Sequence, residues 1–216
     1  MNIDTWLIVA QGVVATLQLT VVGFAIGAIL GLPLMVLRIT RFWVLRSAAR
    51  VFIELARGVP LIIWLFLIYN GPTQFNPALG SVFTSWRSAV LAIGLVSAAY
   101  MAEIYRGALR AVNHGQFEAS RALGMSQVDT ASRIVAPQMV RVAIPASASY
   151  AIGLLKDSSL ASTIGVFEIT YYATTVSSNT SSVTPFFVAG VYYVALTFPS
   201  AWAARRLESR MMERVA

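Results

Sequence analysis

Two places in this sequence set charged or chain-breaking residues inside otherwise apolar runs. Lys156-Asp157-Ser158-Ser159 follows the apolar stretch from about Val142 to Leu155, and Arg57-Gly58-Val59-Pro60 interrupts the run from Val51 to Tyr69. Free backbone N–H groups at such a break suit a carboxylate, free carbonyls suit an ammonium, and Lys156 could meet a substrate carboxylate. Charge inside an apolar segment is expensive, and interrupted spans near a bilayer midplane point to a transport site. The second break falls about seven residues past Arg50, roughly 10 Å along a helix at 1.5 Å per residue. We expect the two breaks to face each other and line a substrate path. A structural role competes with that reading, with Lys156 and Asp157 paired to each other or to Glu54 and Arg57.

Most other chemistry is excluded by composition. The chain has no cysteine, so it has no disulfide, thiolate metal site or cysteine nucleophile. Its one histidine is His114, which leaves no histidine-rich metal site and no Ser-His-Asp triad. The only lysine, Lys156, follows Leu155 and so cannot belong to a GK[ST] phosphate loop. We therefore expect no catalytic residues, no metal and no cofactor in this chain; ATP, if used, must be bound by a partner. A Ser–Lys pair of Lys156 with Ser158 or Ser159 is what remains for an intramembrane enzyme.

The elements that position the two breaks are membrane helices. Hydrophobic residues make up 57% of the 216 and charged residues 12%, with a mean hydropathy of +0.71. A hydrocarbon core takes roughly 20 helical residues, and five spans are expected: about Trp6–Leu37, Val51–Tyr69, Trp86–Tyr105, Val142–Leu155 and Phe186–Ala204. Gly23, Gly27 and Gly31 recur every fourth residue, a small-residue face fit for close intramolecular helix packing or a dimer seam. Gly71–Ser85 and Thr174–Thr184 are expected to be polar loops. Glu103 and Arg106, three apart, suit a structural ion pair. The N-terminus MNIDTW has no basic residue, unlike a cleaved signal peptide. Arginines follow the first span (Arg38, Arg41, Arg46, Arg50), the third span (Arg106, Arg110) and the fifth (the tail RRLESRMMERVA). Topology explains this pattern, and the net charge of +7, better than nucleic-acid binding does. The positive-inside rule puts the N-terminus outside and the C-terminus in the cytoplasm. One all-α membrane domain over 1–216 follows.

The cytoplasmic side then contains an insertion, His114 to Pro145, too long for a turn and too helix-prone for a linker. Gln116–Leu123 reads as a short helix ended by Gly124. Ser126-Gln127-Val128-Asp129 is a capping box that starts a second helix, to about Ala136, which Pro137 should disrupt. A surface-lying amphipathic hairpin on anionic lipid and a protein-docking element both fit this pattern.

The insertion resembles the EAA loop of the membrane subunits of ABC importers. Glu118-Ala119-Ser120, Gly124 and Ile134-Val135-Ala136-Pro137 carry the likeness. Glu54-Leu55-Ala56-Arg57-Gly58-Val59-Pro60, Ala99–Gly107, Gly115-Gln116 and Leu155–Leu160 are similar to the polar amino acid uptake subfamily. Several positions depart from the family pattern: Ser120 for a second alanine, His114 for lysine, Ala136 for leucine, and Ala146-Ser147-Ala148-Ser149-Tyr150 after Pro145. The resemblance implies a type I importer permease in the bacterial cytoplasmic (inner) membrane, with a coupling loop over 114–141. It implies a second permease subunit, identical or paralogous, a dimer of ATPase subunits that bind ATP and Mg, and an extracytoplasmic binding protein. On that reading Glu118, Ala119, Ser120 and Gly124 couple to the ATPase. Arg57, Gly58, Val59, Pro60, Lys156, Asp157, Ser158 and Ser159 line the path of a polar amino acid or derivative. An ATP-independent channel or receptor component with a docking loop is the alternative.

Overall fold

Residues 3–212 are described by a computed structural model, and they are helical almost throughout. The first apolar run forms α1 (Ile3–Ala10) and α2 (Val13–Ile39), separated by a turn at Gln11-Gly12. Gly12 is there because the chain has no room for a side chain: a Cβ would lie 2.3 Å from the carbonyl carbon of Glu168. Thr16 Oγ1 donates to the Gly12 carbonyl (3.1 Å), and the Ile169 amide donates back to Thr16 Oγ1 (3.4 Å).

The centre of the fold is α2 lying along α5 (Ser85–Ala111). Gly23, Gly27 and Gly31 all face α5, where added Cβ atoms would come within 2.3 Å of Ile93, 2.4 Å of Ser97 and 2.7 Å of Met101. Gly94 of α5 answers them, since a Cβ there would meet Ile26 at 2.8 Å. The every-fourth-residue glycine pattern is therefore an intramolecular seam. The largest buried cluster is built on it from Leu19, Leu65, Ala89, Ala92, Ile93, Leu154, Ala161 and Ile164.

The second expected span is corrected. Instead of one helix from Val51, the chain forms α3 (Trp43–Gly58) and α4 (Leu61–Phe75), which meet at 103°. The reason is the charge pattern of α3. Arg46, Arg50, Glu54 and Arg57 recur at helical spacing on one exposed side, beside the buried Ala49, Ile53 and Ala56 and across the helix from the apolar Val44, Val51 and Leu55. That is an amphipathic helix, not a span. Pro60 cannot continue it and restrains Val59 to an extended conformation (φ −86°, ψ 129°).

The two expected loops are corrected too. Gly71–Phe75 belongs to α4, and a 3-10 turn follows at Pro77–Ser81. The Ser/Thr-rich stretch is mostly α9 (Ile169–Thr180). Thr174, Thr175 and Thr180 donate to carbonyls four residues back, which hides their hydroxyls along the helix and spares the solvent contact a loop would need.

Ile3–Ile39, Ser85–Ala111 and Thr184–Arg206 are long and apolar enough to cross a membrane. The α3–α4 pair adds a fourth only if taken together across its bend. Length and composition do not single out α8 (Ala136–Asp157), which carries Arg141 and Lys156 and stands in the place of the remaining expected span. The last helix, α10, runs Thr184–Met212.

The glycine seam yields a direct test. Gly27→Ala should lower the melting temperature of the detergent-solubilised protein, because overpacking of about 1–3 kcal/mol outweighs the helix-propensity gain of about 1 kcal/mol. Gly190→Ala, at a position with nothing within 4 Å, should leave it unchanged or raise it.

Candidate functional site

The corner at Val59-Pro60 carries a cluster of charges at its base. Glu103, on α5 and 14% exposed, is the hub. Arg106 Nε donates to both of its carboxylate oxygens (2.9 and 3.0 Å), Arg38 Nε of α2 lies 3.5 Å away, and Arg57 of α3 lies 4.0 Å away. Arg38 also reaches Glu54 at 3.4 Å. The Glu103–Arg106 pair expected from spacing is present, and it is part of a network that ties α2, α3 and α5 together. Gly58 and Pro60 are exposed and Val59 is half-buried. In α4 the amide of Ile63 donates to the Pro60 carbonyl (3.0 Å), so the new helix starts at once on the far side of the bend.

At the other break α8 ends at Asp157 and a 3-10 segment, Ser158–Ile164, takes over. Ser158 is fully buried and its hydroxyl donates to the Leu155 carbonyl (2.8 Å); Ser159 is half-buried and its carbonyl accepts from Ser162 Oγ (2.7 Å). Both serines thus hold the tight turn. Gly165 closes it in the left-handed region (φ 84°), with the Val166 amide bonded to the Ala161 carbonyl. Lys156 and Asp157 are exposed, and among the described residues neither joins a salt bridge. Glu54 and Arg57, the partners a structural role would have used, are engaged by Arg38 and Glu103.

The two breaks lie against one another through their elements. The 3-10 segment packs on α4, and Leu61, just past Pro60, packs on the same buried cluster as Leu154, Leu160 and Ala161. A second link consists of residues that sequence reasoning did not single out. The Arg57 guanidinium lies 5.0 Å over the Tyr100 ring, Tyr100 stacks on Tyr150 of α8 (5.1 Å, 21°), and the Tyr150 hydroxyl donates to Ser97 Oγ (3.0 Å). Tyr100 stood in the sequence only inside a family-like motif, and Tyr150 only at the end of a divergent one. Nothing in their spacing pairs them, because they come from different helices. Glu168 was likewise unremarked. It is fully buried, caps α9 by accepting from the Tyr171 amide (2.9 Å), and accepts from the Tyr193 hydroxyl (2.6 Å).

The insertion folds as two short helices around a glycine turn. In α6 (His114–Ala122) Asn113 caps the start through Gly115, and the end is a full Schellman turn. Gly124 takes φ +71°, its amide bonds to the Arg121 carbonyl, and the Met125 amide reaches the Ser120 carbonyl. Ser120 points inward (3% exposed), its hydroxyl donating to the Gln116 carbonyl, while Glu118, Ala119 and Gly124 are exposed. Leu123 and Val128, on either side of the turn, are 80% and 76% exposed. Ser126 caps the next helix as expected, accepting from the Asp129 amide (3.1 Å).

The expected disruption at Pro137 is a further correction. A short helix, α7 (Gln127–Asp129), passes through a π turn at Thr130–Val135 straight into α8. The wider turn bonds the Ala136 amide to the Ala131 carbonyl, five residues back, and leaves Pro137 in the first turn of α8, where its missing N–H costs little. Gln138 Nε2 donates to the Ile134 carbonyl (3.0 Å). Gln127 to Asp157 is thus one continuous helical rod, with Pro145 inside α8 taking one amide out of its ladder.

Residues 21–213 match the family described as binding-protein-dependent transport system inner membrane component. The chain belongs to that family. Among its relatives, the nopaline transport system permease protein NocM of Agrobacterium fabrum is 38% identical over 190 residues, covering 85% of this chain and 79% of NocM. The arginine ABC transporter permease protein ArtQ of Haemophilus influenzae is 37% identical, covering 90% of this chain and 89% of its own. The crystal structure of an amino acid ABC transporter with histidines contains a chain that superposes with a TM-score of 0.88 at 31% identity, covering 94% of both. This transport-system component is therefore a multi-pass membrane permease with the fold of ABC importer permeases.

In such a permease the charge network should be costly to break from its centre and cheap to trim at its edge. Glu103→Gln leaves three arginines around a neutral amide and should cost about 3 kcal/mol or more. Arg57→Gln, at the 4.0 Å edge of the network and 35% exposed, should cost under about 1 kcal/mol. Thermal unfolding in one detergent would rank them; equal losses would contradict the hub role of Glu103.

Proposed function

We propose that this chain is the permease subunit of an ATP-driven importer of polar amino acids or related derivatives in the bacterial cytoplasmic membrane. It pairs with a second permease, identical or paralogous, and with two ATPase subunits that bind ATP and Mg. An extracytoplasmic binding protein delivers the substrate. Glu118, Ala119 and Gly124 present the coupling surface, with Leu123 and Val128 as exposed apolar contacts, and Ser120 keeps α6 seated.

The observation that carries this reading is the rod. One continuous helical path of roughly 45 Å joins the capped coupling turn to Lys156 and Asp157. A cation and an anion, adjacent and in no salt bridge among the described residues, complement the carboxylate and ammonium of a zwitterion. The relatives named for nopaline, arginine and amino acid transport support that substrate class. Substrate would pass where the Arg57–Pro60 corner meets the end of α8. The arginine pattern supports an outside N-terminus, which places the insertion on the ATPase side.

Two variants test the coupling half of this reading in vesicles holding the permease, its ATPase and its binding protein. Gly124→Pro cannot adopt φ +71° and removes the amide that closes the Schellman turn. It should cut substrate-stimulated ATP hydrolysis at least tenfold, as should Glu118→Arg. Undiminished stimulation in both would refute the coupling role.

For the substrate half, Lys156→Ala should abolish amino acid uptake while the chain still co-purifies with the ATPase. Uptake and stimulation both at the wild-type level would remove Lys156 from the path.

A further inference from the structure

A rod transmits movement only if something fixes its register against the helices beside it. Helix α8 packs on α2, α5 and α10, with Leu154 and Tyr150 on the buried apolar cluster. Among the described residues, the Tyr150 hydroxyl on Ser97 Oγ is the one side-chain hydrogen bond that α8 makes to another helix. The Tyr150–Tyr100 stack adds a directional contact at the same place. No salt bridge among the described residues involves α8.

The other end of the hydrogen bond is unusually well fixed. Ser97 is fully buried on the α2–α5 seam, where a Cβ on Gly27 would fall 2.4 Å from its own Cβ. Tyr100, one turn on, carries the Arg57 guanidinium on its ring, and Arg57 belongs to the Glu103 network. Tyr150 and Asp157 are seven residues apart on α8, so they share a face about 10 Å apart along the axis.

We infer that Tyr150 is a positioning residue for transport: by gripping Ser97 and Tyr100 it sets the register of Lys156-Asp157 against α5 and the Arg57–Pro60 corner. This rests on the proposed importer reading. Tyr150 touches no substrate on this account; it fixes where the unpaired charges stand when the coupling loop moves. A residue that merely filled space would need its volume and little else. A positioning residue needs its hydroxyl, its ring orientation, or some other link across the same two helices.

The test uses the complete importer in vesicles and reads amino acid moved per ATP hydrolysed. Tyr150→Phe and Ser97→Ala each remove the hydrogen bond and should lower that ratio about threefold, with the double variant no lower than either single. Tyr150→Ala also removes the stack and should lower it at least tenfold. Because the chain has no cysteine, Ser97→Cys with Tyr150→Cys creates its only thiol pair. Bridging that pair with a thiol-specific reagent about one phenol ring long should restore at least half the wild-type ratio. Wild-type ratios in Tyr150→Phe, Ser97→Ala and Tyr150→Ala, or a bridge that abolishes transport, would overturn the inference. If Tyr150→Ala fails to assemble with the ATPase, the single hydroxyl deletions and the bridged pair still decide it. A wild-type complex that hydrolyses ATP yet moves no amino acid would instead refute the importer reading.

Discussion

The close approach of α2 to α5 is the constraint on which the remaining geometry depends. Between helices in lipid there is little hydrophobic gain from association, so packing and polar contacts must supply it. Gly23, Gly27 and Gly31 let α5 side chains and backbone come where no Cβ could stand. That contact fixes more than two helices. Arg38 lies seven residues past Gly31, two turns on the same face, and the seam therefore delivers it to Glu103. Glu103 in turn receives Arg57 from the end of α3, so the corner at Pro60 is located by a charge held in place by the glycine seam. Ser97, the anchor of Tyr150, lies on the same seam.

A bilayer tolerates a broken helix only where protein covers the freed backbone groups. At the corner, where Gly58 and Pro60 are exposed, the Val59 amide bonds to the Leu55 carbonyl and the Pro60 carbonyl accepts from Ile63; the elements beyond the two breaks pack on each other. Leu61 beyond one break and Leu160 and Ala161 beyond the other pack on one cluster. Ser158 and Ser162 spend their hydroxyls on carbonyls within the 3-10 turn. A third interruption, at Gly12, is covered by the Glu168 backbone and bridged by Thr16, while the Glu168 carboxylate is satisfied by Tyr171 and Tyr193. The interruptions that carry no substrate argument are those whose polar groups are fully engaged. Lys156 and Asp157 stand apart because theirs are not.

How much of this was legible in the sequence depended on how local its cause was. The glycine turn at Gly124 and the Ser126 cap are set by residues within five positions, and both formed as read. The small-residue seam was visible as a period, although whether its partner lay within the chain was not. The corner at Val59-Pro60 was recognised as a break but misread as a dent in a span. The four charges of α3 were counted by position and not by face. Pro137 ordinarily disrupts a helix, and the five-residue Ala136–Ala131 bond that accommodates it has no signature in the neighbouring residue types. The Ser/Thr-rich stretch looked like a loop by composition, yet helical back-bonding of threonine suits a segment short of water. The Tyr100–Tyr150 stack and the Glu168 knot join residues far apart in the chain, and one sequence has no local signal for either.

The continuity of the helix from Gln127 to Asp157 bears on where the permease can flex. A loop pressed by an ATPase needs a stiff element to deliver displacement and softer ones to absorb it. A broken helix at Pro137 would have put a soft element between the proposed coupling turn and the proposed substrate path. The π turn keeps the helix unbroken from Gln127 into α8, where Pro145 is the one interior proline. What lies on either side of the rod is less regular. Val112 and Asn113 separate α5 from α6 in extended conformations (ψ 125° and 132°), and Gly165 to Glu168 separates the 3-10 turn from α9. Val112 and Asn113 precede α6, whereas Gly165–Glu168 is pinned by the buried Glu168, whose carboxylate accepts from the Tyr171 amide and the Tyr193 hydroxyl. The unbroken passage from the glycine turn into α8 is then a consequence of local choices: a glycine turn, a serine cap and a proline carried in the first turn of a helix.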